Sequence, residues 1–241
     1  MNMQHSSDNA LRHSTAFLWV AAAFVSTLIV SNIVSVKLVQ LGPWLVPAGV
    51  IVFPISYIFG DVLTEVYGYR RARQVIWLGF ACNLAAVAFI AGAIALPPAP
   101  FWPHQEAYAT ILGFAPRLLL ASFVAYLIGE FANAYVLARL KLITGGRWLW
   151  LRTIGSTLVG QGLDSAVFMT VAFIGIMDGS ALLTAAVTQW AVKSLYEILA
   201  TPLTYLVVGH LKRRDGIDTF DRGVNFNPFA LRERDSRASR P

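Results

Sequence analysis

The stretch FPISYIFGDVLTEVYGYRRAR, residues 53–73, decides how the rest of the chain is read. It begins as an apolar run of the kind that crosses a lipid bilayer. It then sets Asp61 and Glu65 into that run and closes on Arg70, Arg71 and Arg73. A charged side chain at the centre of a membrane helix costs about 2.5–3.5 kcal/mol on insertion scales, so such residues face a cavity or a partner. The arginines mark the cytoplasmic end of a span.

The composition agrees with a membrane setting. Of 241 residues, 56% are hydrophobic and only 13% charged, against about 25% charged in soluble domains. The mean hydropathy is +0.60. The length suits one domain of six helices of about 20–25 residues each. The expected fold is an all-α integral membrane protein. Its spans are predicted at residues 15–36, 48–67, 74–96, 117–140, 153–176 and 181–211. The first apolar run is too long for a signal-peptide core and reads as the first span. Residues 1–14 are polar and are expected to be a disordered cytoplasmic tail. Residues 15–211 form the membrane domain, and the Arg-rich residues 212–241 a second cytoplasmic tail. Gly42-Pro43 and Pro47 predict a short turn. PPAPFWP, residues 97–103, predicts an interfacial loop with Phe101 and Trp102 at headgroup level. The single Cys82 lies in an apolar run and reads as core filler.

Charge sets the expected orientation. Arg70, Arg71 and Arg73 follow span 2; Arg139, Lys141, Arg147 and Arg152 flank the connection after span 4; Lys212, Arg213 and Arg214 end span 6. The other two long connections hold little that is basic beyond Lys37 and Arg117. Both termini are therefore expected in the cytoplasm. The net charge of +6 is distributed around apolar runs rather than in one patch, which argues against a nucleic-acid partner. SNIVSVKL (31–38) and ANAYVLARL (132–140) are faintly alike, and Asp61 and Asp164 fall at similar places in spans 2 and 5. Two three-helix halves of opposite topology would produce this pattern.

Five of the thirteen acids lie inside predicted spans: Asp61, Glu65, Glu130, Asp164 and Glu197. Tyr57, Asp61 and Glu65 share one helical face, as do Glu130 and Asn133, and Gln161, Asp164 and Phe168. Gln189, Lys193 and Glu197 make an i, i+4, i+8 stripe, and Asn32 adds an amide in span 1. Narrow polar stripes on several spans are most economically satisfied around one central cavity. Plainer readings exist for each. Glu65 and Asp61 could pair with the nearby arginines, Glu130 and Asn133 could be hydrogen-bonding glue between helices, and Lys193 and Glu197 could pair within one helix. Asp164 has no base within four residues. Tyr57, Phe168, Trp190 and Tyr196 serve packing as readily as ligand stacking. Pro54 and Pro202 could kink their helices or free carbonyls beside a site.

No GxxxxGK[ST], HExxH, CxxC or GxSxG is present, so no ATPase, metalloprotease or hydrolase motif is carried. His5, His13, His104 and His210 lie outside spans or at their edges, so no metal site and no cofactor are expected.

Residues 53–73 resemble the signature of the queuosine precursor transporter family, also called the vitamin uptake transporter family. The likeness extends to SNIVSVK, GEFANAYVLARLK, WLRTIGSTLVGQGLDSAVF, KSLYEILATP and the tail segment DTFDRGVNFNPF (218–229), which is expected to pack on the cytoplasmic face. The resemblance implies a six-span transporter, not an enzyme. It would sit in the bacterial inner membrane and import 7-cyano- and 7-aminomethyl-7-deazaguanine for tRNA queuosine modification. It implies substrate contacts from Asp61, Glu65, Asn133, Gln161, Asp164, Lys193 and Glu197, then Asn32, Glu130 and Arg152, with Tyr57 and Phe168 as aromatic faces. Asp164 or Glu197 would accept the guanine donors, Gln161 or Asn133 would serve O6 or N7, and Asp61 and Glu65 would act in gating or coupling. Small-residue runs such as 85–92 leave room for a homodimer in the bilayer. Three rivals remain at this stage: a substrate-binding membrane subunit of an ATPase-driven vitamin or nucleobase importer, an intramembrane hydrolase using Asp61 and Asp164, and a cation channel. Proton coupling is permitted by buried carboxylates but not required.

Overall fold

A computed structural model describes residues 2–41, 44–113 and 116–230 of the chain. Seven α-helices dominate it: α1 (Asn2–Val34), α2 (Phe53–Val62), α3 (Tyr69–Ala95), α4 (Gln105–Leu112), α5 (Pro116–Ile143), α6 (Leu149–Phe173) and α7 (Gly179–Asp215). The stretches Thr15–Val34, Tyr69–Ala95, Gln105–Ile143 and Gly179–Asp215 are long and apolar enough to cross a membrane. The helices α2 and α6 complete the six that were expected. Of these, α2 is short, at ten residues, and α6 buries Arg152, Thr153, Ser156, Thr157, Gln161 and Asp164.

Several expectations change. The first helix reaches back to Asn2, where a disordered tail was expected. No Gly or Pro interrupts residues 2–14, so nothing local stops the helix. The predicted turn after span 1 falls within two antiparallel strands, β1 (Leu38–Leu41) and β2 (Trp44–Pro47), in which Leu38 pairs with Pro47. Gly42 and Pro43 lie outside the described residues. The flanking residues are mostly branched, aromatic and apolar, which favours extended pairing. The second span is not one helix. A 3-10 turn at Ala48–Ile51 leads into the ten-residue α2, which widens into a single π-turn at Leu63–Tyr67. Pro54 sits in the first turn of α2, where a missing N–H is harmless, rather than inside a helix. Residues 97–103 form the expected loop, with Phe101 exposed. Pro202 lies within an unbroken α7.

Irregular backbone at membrane depth survives only when protein surrounds it. Here α2 and the π-turn are buried almost throughout, from Ser56 to Tyr67 with the sole exception of Phe59. Phe24 and Leu28 of α1 pack with Val62, Leu63 and Val66 of this segment and with Tyr69, Val75 and Ile76 of α3.

Helices α5 and α6 touch backbone to backbone. The α5 residues at this crossing recur every fourth position: Ala121, Ala125, Gly129, Asn133, Leu137 and Lys141. A methyl group on Gly160 would stand 2.8 Å from Asn133 Cβ and 3.0 Å from the Gly129 carbonyl oxygen. Small residues are what permit such contact between membrane helices. Gly160→Ala is therefore expected to force α5 and α6 apart and to cost about 1–3 kcal/mol, seen as a lower melting temperature of the detergent-purified protein. Gly209→Ala, which would meet nothing within 4 Å, should leave that temperature unchanged or raise it.

Candidate functional site

The polar side chains of the interior divide into three groups along the helices. The first surrounds Glu65, which has no exposed surface. Its Oε1 accepts from Arg152 Nη2 at 2.8 Å and from Lys212 Nζ at 2.6 Å, with Lys141 Nζ at 3.5 Å. Lys141 donates to the Glu65 carbonyl at 2.5 Å, to the Thr219 carbonyl at 2.7 Å and to Asp218 Oδ1 at 2.6 Å. Lys212 also reaches Asp218, at 2.9 Å. One π-turn carboxylate thus joins cations from α5, α6 and α7 and the segment after α7. Burial raises the Asp218 carboxyl, but the hydrogen bonds from the two lysines more than offset this and hold it below the ordinary carboxylate value.

The segment after α7 packs against the first turns of α3. Both Asp221 oxygens accept from the Tyr69 backbone N–H at 3.0 Å, capping α3 from outside the helix. Arg73 donates to the Asn225 and Asn227 carbonyls at 2.8 and 2.7 Å, and Trp77 donates to that of Pro228 at 2.9 Å. Gly68, at φ +85°, is needed twice over: a side chain there would be strained and would strike Thr219 and Asp221.

The second group lies deeper between α2, α5, α6 and α7. Asn133 Nδ2 donates to Asp61 Oδ1 at 2.8 Å. Thr157 donates to Glu197 Oε1 at 2.8 Å and Gln161 Nε2 to Glu197 Oε2 at 3.4 Å. Glu130 is buried against α2, since a methyl on Gly60 would stand 3.2 Å from its Oε2. Tyr57 Oη, Glu130 Oε1, Asn133 Oδ1 and Gln161 Oε1 are buried without a hydrogen-bond partner among the described residues.

The third group lines a cavity of about 1010 Å³. Gln161, Asp164 and Phe168 of α6 face Gln189 and Lys193 of α7, with Asn32, Phe53 and Asn83 on the other walls. Lys193 Nζ lies 2.6 Å from Asp164 Oδ2 and 5.0 Å from the centre of the Phe53 ring. The lining extends to Asp178 and Ser180 at the exposed turn between α6 and α7, and includes neither Glu65 nor the segment after α7. The cavity is therefore reached from the side away from the Glu65 cluster.

Of the residues singled out in the sequence, Asn32, Gln161, Asp164, Phe168 and Lys193 line this cavity; Tyr57, Asp61, Glu130, Asn133 and Glu197 form the deeper group; Glu65 and Arg152 belong to the ion cluster. Lys193 pairs with Asp164 rather than with Glu197 on its own helix. Glu65 pairs with distant cations rather than with Arg70. Lys141, Lys212 and Asp218 count in the sequence only as orientation charge or tail, although Lys141 stands on the same every-fourth-residue stripe as Asn133. Asn83 is a lone amide in an apolar helix and gives no periodic signal.

The profile of the family described as "putative vitamin uptake transporter" matches residues 47–207. A "probable queuosine precursor transporter" of Bacillus subtilis is 32% identical over 190 residues, which is 78% of this chain and 81% of that protein. The "queuosine precursor transporter" of Escherichia coli is 30% identical over 125 residues, 52% of this chain and 54% of that protein. No solved structure matches.

Glu65→Gln would leave three cations around a neutral amide. Removing one partner of a buried ion pair costs about 3–5 kcal/mol, so a sharp fall in melting temperature and in folded yield is expected. Asp218→Asn, at a half-exposed carboxylate, should cost about 1 kcal/mol or less in the same melting experiment.

Proposed function

The chain belongs to the vitamin uptake transporter family, and on that premise we propose that it carries 7-deazaguanine queuosine precursors inward across the bacterial plasma membrane. The observation that supports this substrate is the Asp164–Lys193 pair beside Gln161 on the cavity wall. A guanine edge presents N1–H and the exocyclic amine as adjacent donors, and O6 as an acceptor. A carboxylate takes the two donors side by side, and an ammonium or amide supplies O6. Each Asp164 oxygen has more than one acceptor position, so the salt bridge does not exhaust it. Phe53 and Phe168 offer apolar faces to the flat bicycle. The volume suits a small ligand with room to spare. Gln161 contacts the cavity on one side and Glu197 on the other, and so links bound substrate to the deeper carboxyls.

In this reading six helices span the bilayer as two three-helix halves of opposite direction, with both termini cytoplasmic. The cavity then faces outward. The Glu65 cluster closes the cytoplasmic side, and opening it releases the substrate. Asp61, between cavity and cluster, couples the two. The outer half of α3 is largely exposed, with Phe89 at 79%, and is the surface on which a second copy would pack. Either 7-cyano- or 7-aminomethyl-7-deazaguanine fits the guanine-edge argument.

Asp164→Asn should remove the paired acceptor and weaken binding by about 1–3 kcal/mol, roughly a 5- to 150-fold loss, while the protein still folds. Thermal stabilisation of the purified wild type by both deazaguanines but not by adenine, whose edge reverses the donor and acceptor order, is the expected result. Normal uptake by the Asn variant would remove Asp164 from the site.

A further inference from the structure

Charge does not balance in the interior. Asp61, Glu130, Asp164 and Glu197 meet between α2, α5, α6 and α7, and the one cation among them, Lys193, is held by Asp164. Asp61 is met by an amide and Glu197 by a hydroxyl and an amide. Glu130, 1% exposed, has an oxygen with no partner among the described residues.

Titratable groups of three neighbouring helices and of its own helix surround Glu130. From α2 come Tyr57 and Asp61, from α6 Asp164, from α7 Glu197, and from its own helix Tyr126, whose hydroxyl is committed to the Ile76 carbonyl. Gly129, the residue before it, lies against the Tyr57 hydroxyl: a methyl there would stand 3.3 Å from Tyr57 Oη and 2.8 Å from Asp164 Cβ. The Tyr57 hydroxyl, Asn133 Oδ1 and Gln161 Oε1 are each at least nine-tenths buried and have no partner among the described residues. These are donor and acceptor groups left open around carboxyls that no cation neutralises.

Three carboxylates cannot all remain ionised in a dry interior without counter-charge; such groups neutralise by taking up protons. Position gives that chemistry a use. Gln161 borders the cavity and hydrogen-bonds to Glu197, while Asp61 lies one turn before Glu65. The carboxyls therefore stand between the cavity and the ion cluster that shuts the other side.

We propose that Asp61, Glu130 and Glu197 form a proton-binding site that couples uptake to the proton gradient, with Glu130 carrying the transported proton. The coupling deepens the transport reading above and rests on it. A proton enters from water in the cavity, converts the Glu130 carboxylate to the neutral acid, and leaves toward the cytoplasm once the Glu65 cluster opens. The stoichiometric gain is one proton on one oxygen, with no other bond made or broken.

Two measurements test this. Infrared difference spectra of the purified wild type at neutral pH should contain the C=O stretch of a protonated carboxylic acid, weakened in Glu130→Gln. Absence of any such band in the wild type overturns the proposal, whatever the substrate. The second uses proteoliposomes and labelled 7-cyano-7-deazaguanine. Wild type should concentrate label above equilibrium when the lumen is made alkaline, and a protonophore should abolish this. Glu130→Gln should lose the gradient-driven accumulation completely, and whatever exchange of labelled for unlabelled substrate it retains should no longer respond to the gradient. If wild type exchanges label yet ignores the gradient, proton coupling is wrong and the substrate reading stands. If no exchange occurs with this substrate but the infrared band is present, the substrate is wrong and the proton site stands. Should Glu130→Gln fail to fold, the wild-type protein alone decides: absence of the protonated-acid band, or of gradient-driven accumulation where label exchanges, overturns the proposal.

Discussion

A carboxylate with no exposed surface has to be met by cations, and Glu65 draws its partners from α5, α6 and α7. Much else at that end follows from this requirement. The π-turn at Leu63–Tyr67 sets the Glu65 side chain and its carbonyl toward Lys141 together. Lys141, itself 1% exposed, then needs further acceptors, and it finds them at Thr219 and Asp218. Once residues 218–219 are held there, Asp221 reaches the first N–H of α3 and the chain continues along Tyr69, Arg73 and Trp77. A segment that reads as a polar tail is thereby ordered by hydrogen bonds to its backbone carbonyls, together with the packing of Ile217, Val224, Phe226 and Phe229.

The opposite constraint governs the α5–α6 crossing. Lipid offers no hydrophobic drive for two apolar helices to associate, so contact must come from close packing and polar groups. Gly129 and Gly160 let the two backbones meet. That closeness brings Asn133 within reach of Asp61 on α2 and turns Gln161 and Asp164 toward α7. Small residues and buried polar residues are thus one arrangement: the first make the distances that the second require.

Much of the site is legible in the sequence because helix geometry is periodic. The stripe Gln189, Lys193, Glu197 does point inward, and Gln161, Asp164 and Phe168 do share a face, all three of that face and two of that stripe meeting in one cavity. The separation into cavity, carboxyl group and ion cluster is not legible, because it depends on depth along different helices rather than on phase around one. Lys193 has a carboxylate four residues away in sequence and chooses one 29 residues away, since side chains at adjacent helix interfaces can approach more directly than the local spacing suggests. The broken second span is hidden for a different reason. An apolar run of twenty residues reads as a straight helix, and only its burial in protein permits the turn and π-widening that the backbone adopts. The short α4 escapes because nothing in residues 105–112 is buried.

The order of the three groups bears on how a transporter of this shape would switch. The cavity lies at one end, cationless carboxyls at the middle, and the Glu65 cluster at the other end. An ion cluster is strongest where water is excluded and weak once water enters, since exposed pairs contribute only about 0–1 kcal/mol. Opening that end therefore removes much of the force that held it shut, and closing it expels the water that weakened it. Two states separated in this way favour themselves once formed. The middle group responds in the opposite sense. Carboxyls without cations are most comfortable neutral when dry and ionised when wet. Wetting the Glu65 end would loosen the cluster and, in the same event, favour release of a proton from the carboxyls next to it. Burial at one end and solvation at the other are thereby linked through Asp61 and Glu65, one helical turn apart on the same irregular segment.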